Sequence, residues 1–531
     1  MNTRAVALRS LAALAGTAAA LTGPAAALTP AASAAPGVRD TARAAPLAWE
    51  KCATKAYPRL QCASLKVPLD HRDPGGRRIT LALSRVPHTA RTSQGPLLVN
   101  PGGPGGSGLS MAGFVAKSLP AKVAAQYDVI GFDPRGVGRS RPALNCRPGH
   151  FAPVRPGSLP ATPALEKINL DRARAFADAC HAKYADVLPF IDTVSTAQDM
   201  DAIRAALGAR RVSFFGYSYG TYLGAVYGRL FPQRVRRMAL DSVVDPTGVW
   251  YDANLRQNLA FDLRHKALMA WIARHDDAYG LGGDPAAVEA RWYAMRDGLA
   301  ARPAGGKVGP AELEDTFLPG GYDDRHWPRL AHAFAAHADQ GDARPLVAAY
   351  EDLAASDAEK ENGYSVYTAV QCRDALWPRD WGTWRADHAA LHAKAPFTTW
   401  NNAWFNAPCA FWRTHHLSAP DVLGAKLPPV LLFQATGDPA TPYAGALAMH
   451  RRLPGSRLVV ESGGGNHGIT LNGNTCLDTH LASYLASGKL PRDRGEGADA
   501  TCAAGPEPEP RSAGAAPRAV PAAGRGVLPP R

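Results

Sequence analysis

The pentapeptide Gly216-Tyr217-Ser218-Tyr219-Gly220 closes the run VSFF and opens the run TYLGAVYGRLF. A serine between two glycines at such a strand-to-helix turn can be held in a strained conformation with its hydroxyl exposed. The helix behind it turns free N–H groups, and the positive end of its dipole, towards a reacting carbonyl. A serine hydroxyl needs a base to take its proton, and the base needs an acid to orient it. On a sheet of this kind the chain order is serine, acid, histidine. PPVLLFQATGDPATP places Asp438 directly after an apolar run, and SRLVVESGGGNHGIT places His467 in a glycine-rich loop after the next one. His467 is one of 16 histidines, set apart by run, loop and order together. Asp241 also ends an apolar run, RRMALD, and is the rival acid. Asp438 is preferred, because the final strand and loop follow it at once. An oxyanion needs two backbone donors. The N–H of Tyr219 supplies one, and the loop PGGPGGSG (101–108) the other, with Gly103 first and Gly102 next.

That loop also contains a competing motif. Gly103, Gly105 and Gly108 spell G-x-G-x-x-G after a strand, and Asp133 stands near the acid position of a dinucleotide-binding fingerprint. Pro104 lies between the first two glycines, and that reading leaves Ser218, Asp438 and His467 without a purpose. Acyl transfer accounts for all of them.

The positioning elements are legible as short apolar runs bounded by turn residues: 95–100, 127–132, 211–216, 236–241, 428–435 and 456–461. Helix-like stretches separate several of them. One spans 196–209, with Thr196 as its expected N-cap and Met200, Ile203 and Leu207 on one face. Strands alternating with helices predict an α/β fold: a mostly parallel, doubly wound sheet covered on both sides. From Asp241 to Pro428 no comparable strand run occurs, only helix-like and Trp-rich segments. An insertion of that length reads as a helical cap over the C-terminal edge of the sheet, where such folds bind ligands.

The ends differ in kind. Arg4 and Arg9, an Ala/Leu stretch and Ala32-Ser33-Ala34 form a secretory signal peptide over 1–34. Pro24 and Pro30 interrupt the apolar run, so a membrane span is not expected there or elsewhere. The Pro/Ala/Gly-rich stretch 503–531 lacks any apolar period and is expected to be disordered. Eight cysteines in an exported chain imply disulfides, with pairing between neighbours expected: Cys52–Cys62, Cys146–Cys180, Cys372–Cys409 and Cys476–Cys502. No C-x-x-C spacing occurs, which disfavours a metal site. The formal charge of +13 is dispersed along the chain, giving nucleic-acid binding little support.

Taken together, NPGGPGGSG, GFDPRGVGRS, GYSYG, GDPATP and GNHG resemble the prolyl aminopeptidase branch of α/β-hydrolases. Within that branch the chain is most similar to the secreted tripeptidyl aminopeptidases of actinomycetes, over roughly residues 45–502. Where compact members often carry His, this chain has Asn100-Pro101, a departure that favours the longer secreted members. AVQCRDALWPRD (369–380) resembles the return from cap to sheet in the tripeptidyl group, with Arg373 unusual there.

The resemblance implies an α/β-hydrolase core over 45–244 and 426–502, a helical cap over 245–425, and Ser218, Asp438 and His467 as the triad. It implies hydrolysis of short peptides from a free N-terminus, with no cofactor. An enzyme of that kind must hold the substrate's ammonium at a set distance from the nucleophile, and a cap carboxylate would serve. Asp374, beside Cys372 at the cap return, is the candidate, with a structural carboxylate the alternative. An esterase on the same triad is the runner-up. A binding protein on a hydrolase scaffold has no need of these three side chains.

Overall fold

The computed structural model describes residues 47–510 except 424, 425 and 496. Residues 1–34, expected to be a signal peptide, and residues 511–531 lie outside the described residues.

The apolar runs form the middle of one ten-stranded sheet. β4 (Gly95–Asn100) and β5 (Tyr127–Phe132) coincide with the expected runs, and β6 (Val212–Tyr217), β7 (Val235–Asp241) and β9 (Arg457–Ser462) fall within a residue of theirs. β8 (Leu431–Ala435) begins three residues later than expected. Three further strands precede these, β1 (Glu50–Lys51), β2 (Gln61–Pro68) and β3 (Arg78–Val86), and β10 (Ala500–Ala503) follows them. The sheet order is β1-β2-β3-β5-β4-β6-β7-β8-β9-β10. The pairs among β1, β2, β3 and β5 are antiparallel, and every pair from β5–β4 to β9–β10 is parallel.

The central strands are continuous apolar runs because both sheet faces are covered. Leu97, Leu98 and Val99 are all fully buried, yet Leu98 belongs to one hydrophobic cluster and its two neighbours to another. On β6, Phe214 falls in the first cluster, and Phe215 and Tyr217 in the second. Each such side chain contributes about 1.5–3 kcal/mol on burial, so a one-residue slip would cost several at once.

Between β7 and β8 the named elements are helical. The helices from Tyr251–Arg274 to Arg344–Leu353 bury Trp271, Trp292, Phe317, Trp327 and Phe334 in a cluster of their own. The helix Ala358–Asp374 instead joins the sheet-face cluster through Tyr364, Val366, Tyr367 and Val370. The insertion meets the loops at the C-terminal ends of the parallel strands. Asn362 Nδ2 donates to Gly136 O after β5, Gln257 Nε2 to Ala440 O after β8, and His467 N after β9 to Tyr322 O. A Cβ placed on Gly105, after β4, would lie 2.3 Å from Gly363 O, so the glycine lets this loop and the insertion touch backbone to backbone.

Two expectations are corrected. The helix expected over 196–209 spans Thr193–Ala206, and its N-cap is Asp192, whose carboxylate accepts from Ser195 N at 2.6 Å. Thr196 instead donates its hydroxyl to Asp192 O, one turn inside the helix. Residues 503–510, expected to be disordered, are held: Ala503 ends β10, Trp271 Nε1 donates to Pro508 O at 3.1 Å, and Arg274 pairs with Glu507 at 2.6 Å. Composition signals a lack of apolar period, but it cannot register an indole waiting for an acceptor.

The four disulfides are Cys52–Cys62, Cys146–Cys180, Cys372–Cys409 and Cys476–Cys502, joining neighbours in sequence as expected. No helix among the described residues is long and apolar enough to cross a membrane.

Candidate active site

Ser218 sits between β6 and the helix Tyr219–Leu230 with φ 55° and ψ −127°, a positive φ that L-residues rarely adopt. Crowding explains the two flanking glycines. A Cβ on Gly216 would lie 2.7 Å from Gly220 O, and one on Gly220 would lie 2.8 Å from Asn100 Oδ1. Ser218 N donates to Asp241 O at 2.9 Å, and Thr221 N returns to Ser218 O at 2.8 Å, fixing the bend from both sides.

The loop after β4 lies against this bend. A Cβ on Gly102 would come within 2.7 Å of Tyr217 O and 2.9 Å of Ser218 Cβ, and Gly102 has φ 98°. Gly102 N is engaged by Asn100 Oδ1 at 3.0 Å, whereas Gly103 lines the cleft together with Ser218 and Tyr219. Asp133, the acid of the competing nucleotide motif, is spent on the loop itself. It accepts from Ser107 Oγ at 2.6 Å, Gly108 N at 3.2 Å and Arg139 N at 2.7 Å.

Asp438 and His467 come together from the loops after β8 and β9. His467 Nδ1 lies 2.8 Å from Asp438 Oδ2 and 3.0 Å from Oδ1, with both side chains fully buried. Asp438 is held by Ala440 N at 2.9 Å, Thr441 N at 3.0 Å and Thr441 Oγ1 at 2.8 Å. His467 Nε2, the other ring nitrogen, is buried and has no hydrogen-bond partner. The ring packs edge-on against Tyr322 of the insertion, with centroids 5.4 Å apart.

Asp241, the rival acid, does not touch the imidazole; it ties the histidine loop to the elbow. Its carboxylate accepts from Ile469 N at 3.2 Å, Thr470 N at 2.7 Å and Thr470 Oγ1 at 2.5 Å. Burial nonetheless pushes its carboxyl up to about 6. Ser242 Oγ accepts from Gly468 N at 2.7 Å, and Tyr217 OH donates to Thr470 O at 2.7 Å. Tyr217 therefore links the elbow directly to the loop of His467. Sequence gave no signal for that link, because the two residues lie 253 positions apart.

Asp374 is placed elsewhere than expected. It is 3% exposed and absent from the lining of the cleft. Its oxygens accept from Thr193 N at 2.8 Å, Thr193 Oγ1 at 2.5 Å and Trp250 Nε1 at 3.3 Å. Thr193 Oγ1 lies 2.6 Å from Tyr219 OH. Burial, aided by the negative charge of Asp192, pushes the Asp374 carboxyl up to about 7. Both oxygens are engaged by Thr193 and Trp250 away from the cleft lining, the arrangement of a structural carboxylate.

The cleft, about 830 Å³ including its open mouth, runs from Gly103, Ser218 and Tyr219 to the insertion residues Trp250, Tyr322, Tyr367, Gln371 and Phe405. A mostly parallel sheet carrying serine, acid and histidine on the C-terminal loops of β6, β8 and β9, with a helical insertion, defines the class as α/β-hydrolase.

Comparison with known proteins narrows the class. A family model described as TAP-like protein matches residues 395–502. The tripeptidyl aminopeptidase of Streptomyces lividans is 43% identical over 475 residues, covering 87% of each chain. The serine protease Hip1 of Mycobacterium tuberculosis is 32% identical, covering 84% of this chain and 90% of the relative. A protein named carboxylesterase B from the same species is also 32% identical, covering 81% and 85%. The chain belongs to the tripeptidyl aminopeptidase-like family of α/β-hydrolases.

Proposed function

We propose that the protein is an exported serine exopeptidase that releases short peptides from the free N-terminus of its substrates. The observation that carries this reading is His467. Its Nδ1 is bound by Asp438, and its Nε2 is buried without a partner in the loop that Tyr217 and Asp241 tie to the Ser218 elbow. The 43% identity to a tripeptidyl aminopeptidase supports the substrate class, and four disulfides support an oxidising, extracellular location. The core is assigned to 45–244 and 426–502, with 245–425 as the cap that lines part of the cleft.

In the proposed reaction His467 Nε2 takes the proton of Ser218 as Oγ attacks the scissile carbonyl. Asp438 holds the imidazole with its other proton on Nδ1 and stabilises its cationic form. The N–H groups of Gly103 and Tyr219 receive the oxyanion, assisted by the N-terminus of the helix Tyr219–Leu230. His467 then protonates the leaving amine, and water releases the peptide from Ser218 by the reverse transfers.

A second reading, an esterase on the same residues, is favoured by the relative named carboxylesterase B. The two are separated with a free-amine tripeptide anilide, its N-acetyl form and a p-nitrophenyl ester. An exopeptidase turns over the free anilide at least about tenfold better than the acetylated one, because the lost charged contact is worth more than about 1.4 kcal/mol. Turnover of the ester alone, or indifference to acetylation, would contradict the proposal.

A further inference from the structure

An enzyme that reads a free N-terminus needs an acceptor for an ammonium, and the cleft holds no free carboxylate among the described residues that line it. Asp245 is the acid on that lining. It pairs with Arg256 at 2.9 Å and accepts from Thr247 N and Oγ1 at 2.8 and 2.6 Å. The asparagines of the cleft are engaged: Asn402 Nδ2 donates to Asn258 Oδ1 and to Asn254 O, and Asn254 Nδ2 to Trp250 O. Gln257 Nε2 is committed to Ala440 O.

Gln371 differs from all of these. It lines the cleft from the helix Ala358–Asp374, is 3% exposed, and its Oε1 is buried with no hydrogen-bond partner. Among the described lining residues it holds the one buried side-chain polar atom left in that state. Tyr367, four residues earlier on the same helix face, also lines the cleft. A carboxamide oxygen only accepts, and a buried acceptor without a donor is costly unless a ligand supplies the donor. The α-ammonium of a peptide carries three N–H groups, and a hydrogen bond from an ionised donor is roughly twice as strong as a neutral one.

We infer that Gln371 Oε1 receives the substrate's α-ammonium, so that a carboxamide rather than a carboxylate reads the free N-terminus. The inference rests on the exopeptidase reading and names its ammonium subsite. A neutral acceptor also suits turnover. The released peptide carries the same ammonium, and a fully charged partner in a closed cleft would hold it longer.

The test is the ratio of kcat/KM for a free-amine tripeptide p-nitroanilide to that for its N-acetyl form, measured for wild type, Gln371→Met and Gln371→Glu. Taking the ratio within each variant cancels any fraction that fails to fold. Met conserves shape but removes the acceptor, and the ratio is expected to fall at least about tenfold. Glu restores an acceptor, so its ratio is expected to equal or exceed that of wild type, with a lower KM for the free amine. A high wild-type ratio that Met leaves within about twofold, or that Glu lowers as far as Met does, overturns the role of Gln371 alone. A wild-type ratio near one overturns the exopeptidase reading itself.

Discussion

Among single residues, the two acids that sequence weighed and the structure placed elsewhere, Asp241 and Asp374, are scaffolding carboxylates beside the elbow. Asp241 fixes the backbone of Ile469 and Thr470; Asp374 fixes Thr193, whose hydroxyl meets that of Tyr219. Both carboxyls are pushed up by burial, Asp374 to about 7. A carboxyl whose folded pKa exceeds its unfolded value binds more protons in the folded state. The stability it contributes is therefore complete below about pH 4 and is lost as pH rises through about 7. Asp374→Asn removes that dependence. Urea melts from pH 4 to pH 7.5 should show wild type losing up to about 4 kcal/mol relative to the variant. A constant difference across that range would mean that Asp374 is ionised throughout. Sequence located Asp374 near the cap return but had no means of showing that Thr193 and Trp250 close over its oxygens. For Ser218, Asp438 and His467, by contrast, strand, loop and chain order pointed to all three, and the structure brings Asp438 to His467.

Elements show the same division. β4 and β5 were legible to the residue because burial on both faces demands an unbroken apolar run. β2 and β3 were not, because one edge of the sheet is antiparallel there. Gln61–Pro68 mixes exposed, half-buried and buried positions, so no run stands out. The helix expected in TYLGAVYGRLF (221–231) spans Tyr219–Leu230, and close approach accounts for Gly220 at its start. Gly220→Ala makes this testable. In an ordinary helix the change would stabilise by about 0.5–1 kcal/mol. Here the new methyl would lie 2.8 Å from Asn100 Oδ1 and 3.0 Å from Asn100 O. Overpacking of that kind costs about 1–3 kcal/mol, so the steric cost wins. Asn100 also anchors Gly102 N in the loop proposed to bind the oxyanion, so kcat/KM should fall at least about tenfold with the melting temperature. A variant as stable and active as wild type would show that the elbow and the loop are not in contact.

For the whole molecule, the order of parts follows from what each buries. The helices from Tyr251 to Leu353 have their own core and could be recognised as an insertion by their lack of strand runs. The return helix Ala358–Asp374 packs on the sheet-face core instead, and disulfide Cys372–Cys409 joins it to the segment that leads back to β8. That arrangement brings both Gln371 and Tyr322, the latter packed against His467, to the cleft. Neither residue carried a sequence signal, since a glutamine or a tyrosine in a helix has no spacing that marks it as a lining residue. The central claim is that residues 218, 438 and 467, remote in sequence, work as one unit with Ser218 as the nucleophile. It is tested most directly by treating wild type and Ser218→Ala with a serine-directed aryl phosphonate and mapping the adduct by peptide mass. The account predicts a single adduct on the peptide bearing Ser218 and loss of all activity as it forms. It predicts neither adduct nor turnover in the alanine variant, which should remain folded. An adduct on another serine, or turnover persisting in Ser218→Ala, would contradict it.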